Sequence, residues 1–214
     1  MLQASEPTAG TGQSLLSDFD LYLFNEGTHV CMYDKLGAHV TTVNNQHGVA
    51  FAVWAPNADE VSVIGDWNNW DPEADPLRQR GSSGIWEGFV AGIGQGAHYK
   101  YSIKPKFSRS RIDKADPYGF AAELRPSTAS IVWDLSRYEW RDQDWLNQRT
   151  DRQAFQAPIS IYEVHLGSWK RVPDTQGFLS YRQLARDLAE YCQMMGYTHV
   201  QLLPISEHPY DPSW

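Results

Sequence analysis

Hydrophobic and polar positions change their rhythm several times along this chain. Residues 1 to about 16 are small and polar and predict a flexible lead-in. Ser17-Asp18-Phe19-Asp20-Leu21-Tyr22-Leu23-Phe24 then predicts a short amphipathic helix, with Ser17 as N-cap and Phe19, Tyr22 and Leu23 on one face. Gly27 is placed to end it. From about 48 the texture becomes short β-like runs between Gly, Pro, Asn and Asp. Strands are expected at Val49–Trp54, Val61–Ile64, Trp86–Val90 and His98–Ile103, with a closing strand near Ser130–Trp133. In the fourth run Tyr99, Tyr101 and Ile103 face one way, and Lys100 and Ser102 the other.

Residues 134–157 are charged and dotted with Trp, without clean periodicity, and predict an ordered connector between domains. Beyond them Ile159–Leu166 is a compact apolar strand. Ser180-Tyr181-Arg182-Gln183 fits a capping box, in which the Ser hydroxyl and the Gln three residues on satisfy orphan helix N–H groups. Tyr181, Leu184, Ala185, Leu188, Cys192 and Met195 recur at helical spacing, Gly196 suits a left-handed cap, and His199–Leu203 gives a second strand. Strand, helix, strand is one parallel βαβ unit. Such a unit cannot bury both faces of its strands, so the chain is expected to stop where a barrel or doubly wound sheet is starting.

The domain reading is therefore an extension at 1–47, a β-sandwich at 48–133, a connector at 134–157 and the truncated start of an α/β domain at 158–214. The fold class is multidomain β plus α/β, an immunoglobulin-like β-sandwich followed by one βαβ unit.

Composition adds two points. Nine Trp, eleven Tyr and eight Phe serve either a packed β core or stacking platforms for sugar rings, whose axial C–H faces are apolar. A formal charge of −8 without a basic stripe disfavours nucleic acid, which needs clustered cations to displace counterions. Cys31 and Cys192 lack CxxC spacing and read as free thiols of a reducing compartment. The first twenty residues lack a basic region followed by an apolar one, and no run of 18 apolar residues occurs. The expectation is a soluble cytoplasmic protein.

Candidate chemistry is sparse. Gly65-Asp66-Trp67-Asn68-Asn69-Trp70-Asp71 sets two indoles around two side-chain amides, a stacking face beside hydrogen-bonding groups. The alternative is that one or both indoles plug the sandwich core. Glycosidic chemistry needs paired carboxylates. Asp66 and Asp71 read as turn residues, while Glu163, His165, Glu207 and His208 sit on or after the two α/β strands, where a barrel would place its active site. A structural hydrogen-bonding role is the competing reading for them. The seven histidines show no metal-ligand spacing, and neither a P-loop nor a GxSxG elbow occurs. No cofactor is expected.

Several of these runs together resemble a known family. Phe51-Ala52-Val53-Trp54-Ala55-Pro56-Asn57-Ala58 and the Gly65–Asp71 turn are similar to the family-48 carbohydrate-binding module. Lys114-Ala115-Asp116-Pro117-Tyr118 and Ala122-Glu123-Leu124-Arg125-Pro126 match the module's exit. Ser160-Ile161-Tyr162-Glu163-Val164-His165-Leu166-Gly167-Ser168-Trp169 and Leu202-Leu203-Pro204-Ile205-Ser206-Glu207-His208-Pro209 resemble the first two barrel strands of family-13 glycoside hydrolases, in the form seen in glycogen (1,4-α-glucan) branching enzymes. The resemblance implies a retaining transglycosylase acting on glycogen-like α-glucan, with an Asp nucleophile and a Glu acid/base on later strands of a (β/α)8 barrel. No position here matches those motifs, so no catalytic residue is assigned and the 214-residue chain itself is expected to be inactive. For the module, the resemblance points to Trp70 and Lys100 as sugar-binding, with Trp67 and Asn68 beside them; a second Trp found in glucan-binding relatives is replaced by Phe107. A glucan-binding module without catalysis, or a piece of a debranching enzyme or trehalohydrolase, are the alternatives.

Overall fold

The computed structural model describes residues 14–124, 126–152, 155–172, 175 and 177–206 of the 214. The chain divides into two compact units after Arg137.

The first unit begins earlier than its β-like texture does. Leu16, expected in a flexible lead-in, is 2% exposed, and the Ser14 hydroxyl donates to Glu87 at 2.5 Å. Leu16 precedes the N-cap of helix α1 (Asp18–Glu26) and shares an apolar cluster with Leu21, the pairing of a hydrophobic staple. Ser17 Oγ accepts from Asp20 N at 3.1 Å, and Asp20 Oδ2 accepts from Ser17 N at 2.8 Å, closing a capping box. Partial burial opposes the Asp20 charge, but hydrogen bonds from Ser17, His29 and Lys35 outweigh it and hold the carboxyl well below the usual range.

Two antiparallel sheets follow. The first has the order β1-β2-β5-β4, from β1 (Gly37–Val43), β2 (Gln46–Trp54), β4 (Arg78–Gln79) and β5 (Ile85–Ala91). The second runs β3-β6-β9-β8, from β3 (Ala58–Gly65), β6 (His98–Pro105), β8 (Ala121–Ala122) and β9 (Ser130–Ile131), with β7 (Ile112–Lys114) also paired to β6. Four expected strands stand within β2, β3, β5 and β6, and the closing strand is β9, which ends two residues earlier than expected. β1 corrects the boundary at 48: the first sheet starts at 37. It is an edge strand of small and polar residues, half-exposed, so its alternation carries little apolar signal. Its clearest mark is the turn Asn44-Asn45, both at positive φ (50° and 63°), which joins Val43 to Gln46.

The sheets close over one core. Val49, Phe51 and Val53 of β2 meet Val61 and Val63 of β3 and Tyr99 and Tyr101 of β6, all within 4% exposure. The expected alternation on β6 holds. The other face of the first sheet is covered too: Ala52 and Ile85 pack against Leu16, Met32 and Leu36, with Leu21, Phe24 and Tyr118 alongside. The helical extension is thus a third layer of this unit.

A carboxyl is buried against the second sheet. Asp116 Oδ2 accepts from the Tyr99 hydroxyl at 2.6 Å and the Tyr101 hydroxyl at 3.2 Å, and Oδ1 accepts from Tyr118 N at 2.8 Å. Burial pushes the Asp116 carboxyl up, against the pull of the Tyr99, Tyr118 and Tyr101 hydrogen bonds.

The second unit opens with helix α2 (Gln143–Arg152), so the expected connector contains a ten-residue helix, none of it buried. Strands β10 (Ile161–Val164) and β11 (His199–Leu202) pair in parallel, linked through the one-turn α3 (Leu166–Trp169) and the long α4 (Tyr181–Met195). α4 carries the predicted capping box, with Ser180 Oγ accepting from Gln183 N at 3.4 Å, and ends at Gly196 with φ 78°. Leu188 and Cys192 pack on Val164, flanked by Tyr162, Tyr191, Tyr197 and Trp169, whose indole donates to the Tyr162 hydroxyl at 3.0 Å. Ile161, Val200 and Leu202 remain at least 41% exposed. The second unit therefore buries few apolar residues, and backbone opening there costs less than in the sandwich. Amide hydrogen exchange in β10 and β11 is expected to be faster than in β2, β5 and β6; equal protection would refute this.

The Asp116 carboxyl gives a second expectation. Its folded pKa lies above its value in the unfolded chain, so between the two values the native state holds the proton that the unfolded chain has released. Stability then falls as pH rises through that window. Relative to Asp116→Asn, which does not titrate, the wild type should lose stability as pH climbs above about 4 and level off past the folded pKa, as read by urea unfolding at stepped pH. Tyr99→Phe removes a hydrogen bond to a buried carboxylate and should cost about 2 kcal/mol.

Candidate sugar-binding turn

The turn after β3 is shaped by a close approach. A Cβ on Gly65 would lie 2.1 Å from the Trp67 ring and 2.4 Å from His98 O, so only glycine lets the indole fold back over the strand end. Trp67 then stacks on Phe51, centroids 6.0 Å apart and planes at 22°, and packs on the sandwich core. Its indole N–H donates to Asp75 Oδ2 at 2.9 Å. Asn68 is equally committed: Oδ1 accepts from Gly65 N at 2.9 Å, and Nδ2 donates to Asp75 at 2.8 Å and to Val63 O at 3.2 Å. Trp67 and Asn68, expected beside the sugar, instead hold the turn, because every polar group of their side chains is spent inside it. Of the two readings of the indoles, core plug describes Trp67.

Trp70 is different. Asn69 and Trp70 both take positive φ (55° and 60°), a conformation uncommon for any residue but glycine and seldom adopted by a bulky one. The geometry is fixed by Trp70 N donating to Gly65 O at 2.9 Å and Asp71 N to Asn68 O at 3.1 Å. Trp70 is left 39% exposed. Lys100 lies on β6 in register with Ile64, one residue before Gly65, and alternation with the buried Tyr99 and Tyr101 puts its side chain on the outer face. Its Nζ donates to Thr128 Oγ1 at 2.8 Å. The backbones of Trp70 and Lys100 are thus gathered at one end of the β3–β6 pair.

Phe107 is not part of this group. It follows β6 at the far end, 93% exposed, about 20 Å of strand from Lys100. The β7 residue that shares Lys100's face is Asp113, opposite Ser102, a carboxylate where an indole would stack. Asp66 and Asp71 behave as turn residues: Asp66 accepts from His98 N at 3.3 Å, and Asp71 Oδ1 from Glu73 N at 2.9 Å. Asp75, which ties Trp67 and Asn68 together, was not foreseen, since its role exists only once the loop has turned back along β3.

In the second unit Glu163 is exposed on β10. His165 accepts or donates at Nδ1 with Ser168 Oγ at 3.1 Å, at the start of α3. Glu207 and His208 lie outside the described residues. Among the described residues no group of three His, Cys, Asp or Glu side chains is placed to hold a metal ion, and no helix is long and apolar enough to cross a membrane. Cys31 and the buried Cys192 are free thiols.

Comparison with known proteins gives this arrangement a context. Residues 35–119 match carbohydrate-binding module 48 (isoamylase N-terminal domain), a span that includes β1. The chain is 54% identical over 200 residues to a 1,4-alpha-glucan branching enzyme GlgB of Rubrobacter xylanophilus, covering 94% of this chain and 27% of that protein. The corresponding enzyme of Paramagnetospirillum magneticum is 52% identical over 201 residues, again 94% of this chain and 27% of the relative. Among solved structures, a group B streptococcal pullulanase in complex with maltotetraose superposes with a TM-score of 0.59 at 24% identity, over 82% of this chain and 24% of that one. A putative α-amylase from Salmonella typhimurium gives 0.58 at 20% identity, over 80% and 25%. At that identity the likeness shows the fold alone. Residues 35–119 thus match carbohydrate-binding module 48, within a sequence similar along nearly all its length to 1,4-alpha-glucan branching enzymes and spanning about a quarter of theirs.

Proposed function

We propose that this chain is part of a 1,4-α-glucan branching enzyme, in which the sandwich grips α-glucan and residues 158–214 open the (β/α)8 barrel that carries the chemistry. The observation that carries this reading is the 54% identity over 94% of the chain, which spans both units and not the module alone. The reaction so implied is a retaining transglycosylation. An Asp carboxylate displaces one end of an α-1,4 link to form a covalent glycosyl-enzyme while a Glu acid protonates the departing 4-oxygen. The same Glu, now a base, takes the proton of an acceptor 6-hydroxyl, which attacks the glycosyl carbon and releases the Asp. Both groups belong to later barrel strands in the family. The two free thiols suit work in the reducing cytoplasm.

The module's share is to hold polymer. The Trp70 indole offers a rigid apolar face for a pyranose ring, and its positive-φ backbone keeps that face outward without rotamer-rich searching. Lys100, exchanging its bond to Thr128 for one to a sugar hydroxyl, adds direction. A neutral ligand asks for no charge field, in keeping with the net charge of −8.

Trp70→Ala is expected to weaken maltoheptaose binding about tenfold, equivalent to about 1.4 kcal/mol, with little change in melting temperature. Trp67→Ala should instead lower stability by about 3 kcal/mol. Calorimetric titration and thermal unfolding separate the two; equal effects of both variants on binding alone would overturn the assignment. The purified 214-residue chain should show no branching by iodine staining and no new reducing ends, and turnover in either assay would contradict the placement of the catalytic carboxylates outside it.

A further inference from the structure

The layer formed by α1 on the outer face of the first sheet holds a cavity of about 270 Å³ that the Trp70 turn does not touch. Phe24, Tyr33 and Tyr118 supply aromatic walls, Met32 a buried floor, and Gly27 a side where an added Cβ would meet nothing within 4 Å. Val30, 87% exposed, stands at the rim. Phe24 also meets the edge of Trp54, centroids 6.0 Å apart, and Trp54 is 54% exposed, so the aromatic surface continues past the cavity.

We propose that this cavity is a second α-glucan subsite, taking one glucosyl ring, on the opposite sheet of the sandwich from Trp70 and Lys100. The ligand class rests on the α-glucan reading of the module; the location does not. Three observations select a sugar. The walls combine apolar ring faces with phenol hydroxyls, and a pyranose presents the matching pair of an apolar C–H face and a rim of hydroxyls. The one basic group in the lining is already spent: His29 Nε2 lies 2.9 Å from Asp20 Oδ1, Nδ1 accepts from Cys31 N at 3.3 Å, and Lys35 closes on the same Asp20 at 3.3 Å. An anion or cation would find no free counter-charge there, whereas a neutral polyol needs none. The volume lies just under the roughly 300 Å³ at which small-molecule pockets begin, room for one ring and too little for a helix of a partner protein.

A single ring binds weakly. The value of the subsite lies in addition: a branched polymer held at Trp70 presents further chain ends at high local concentration, and a second weak grip on another face multiplies retention on the particle.

The test is affinity electrophoresis of the whole chain in gels containing glycogen, supported by calorimetry with maltoheptaose. Tyr33→Ala removes a half-exposed wall, and Val30→Arg fills the mouth from a position that supports nothing beneath it. Each is expected to reduce glycogen retardation about threefold in the wild type, and to abolish what remains in a Trp70→Ala background. Tyr33→Phe, which keeps the ring, should retain most of the binding. Unchanged retardation by Tyr33→Ala and Val30→Arg in both backgrounds, with Trp70→Ala still weakening it, overturns the second subsite and leaves the module reading intact. Loss with Tyr33→Ala and none with Trp70→Ala keeps the subsite and removes Trp70 from the proposed function. Absence of retardation in the wild type overturns both.

Discussion

A buried carboxylate organises the sandwich. Asp116 stands between the two sheets and takes hydrogen bonds from Tyr99 and Tyr101 of β6 and from the backbone of Tyr118, while its own N–H donates to Ser130 Oγ of β9 at 2.9 Å. The Tyr101 hydroxyl also lies 3.4 Å from Ala52 O and 3.5 Å from Gly37 O, both in the first sheet. A purely apolar core would tolerate sliding of one sheet over the other. The buried carboxylate fixes where the Tyr99 and Tyr101 hydroxyls of the second sheet lie, and the Tyr101 hydroxyl is the group of this network that reaches the first. The same anchoring reaches outward: the turn that Asp116 holds through Tyr118 N delivers the Tyr118 ring to the cluster beneath α1.

The Trp67–Trp70 turn shows how little separates a core residue from a surface one. Both indoles flank the Asn68-Asn69 pair, and composition gives no ground for assigning them different roles. The backbone does. Gly65 permits Trp67 to fold inward, Asp75 returns along β3 to take its N–H, and two consecutive positive-φ residues turn Trp70 outward. An indole whose N–H is bonded and whose face is stacked has nothing left to offer a ligand, whereas Trp70 keeps 39% of its surface exposed.

Legibility followed local chemistry. α1 and α4 are plain in the sequence because their ends are written in capping residues and glycines, which act through neighbours three or four positions away. β2, β3, β5 and β6 are plain because buried strands must be apolar at alternate positions. β1 is obscured by being an edge, and Leu16 by lying with Leu15 in an otherwise polar stretch, where its staple with Leu21 is a faint local trace. α2 has no buried face to impose a period on its sequence. Resemblance alone points to Trp70 and Lys100 as candidates, while the commitment of Asn68 depended on Asp75, seven residues away, which no pattern marks.

The second unit poses a different physical problem. Its βαβ arrangement packs α4 on one face of β10, beside an aromatic network of Tyr162, Tyr191 and Tyr197 with centroids 4.9 to 6.4 Å apart. By register Val200 and Leu202 share the face of Tyr162 and Val164, where each stays 41% exposed, and the opposite face carries Ile161, Glu163, His199 and Gln201. Parallel strands are stable when both faces are covered and further strands take up their free edges, since their hydrogen-bonding groups and apolar side chains are otherwise left to water. Val200 and Leu202, apolar yet half-exposed on the face that α4 packs against, are the positions at which a larger parallel sheet would gain packing. The proposal of a barrel rests on the identity that extends through this unit, and the incomplete cover of Val200 and Leu202 is consistent with it.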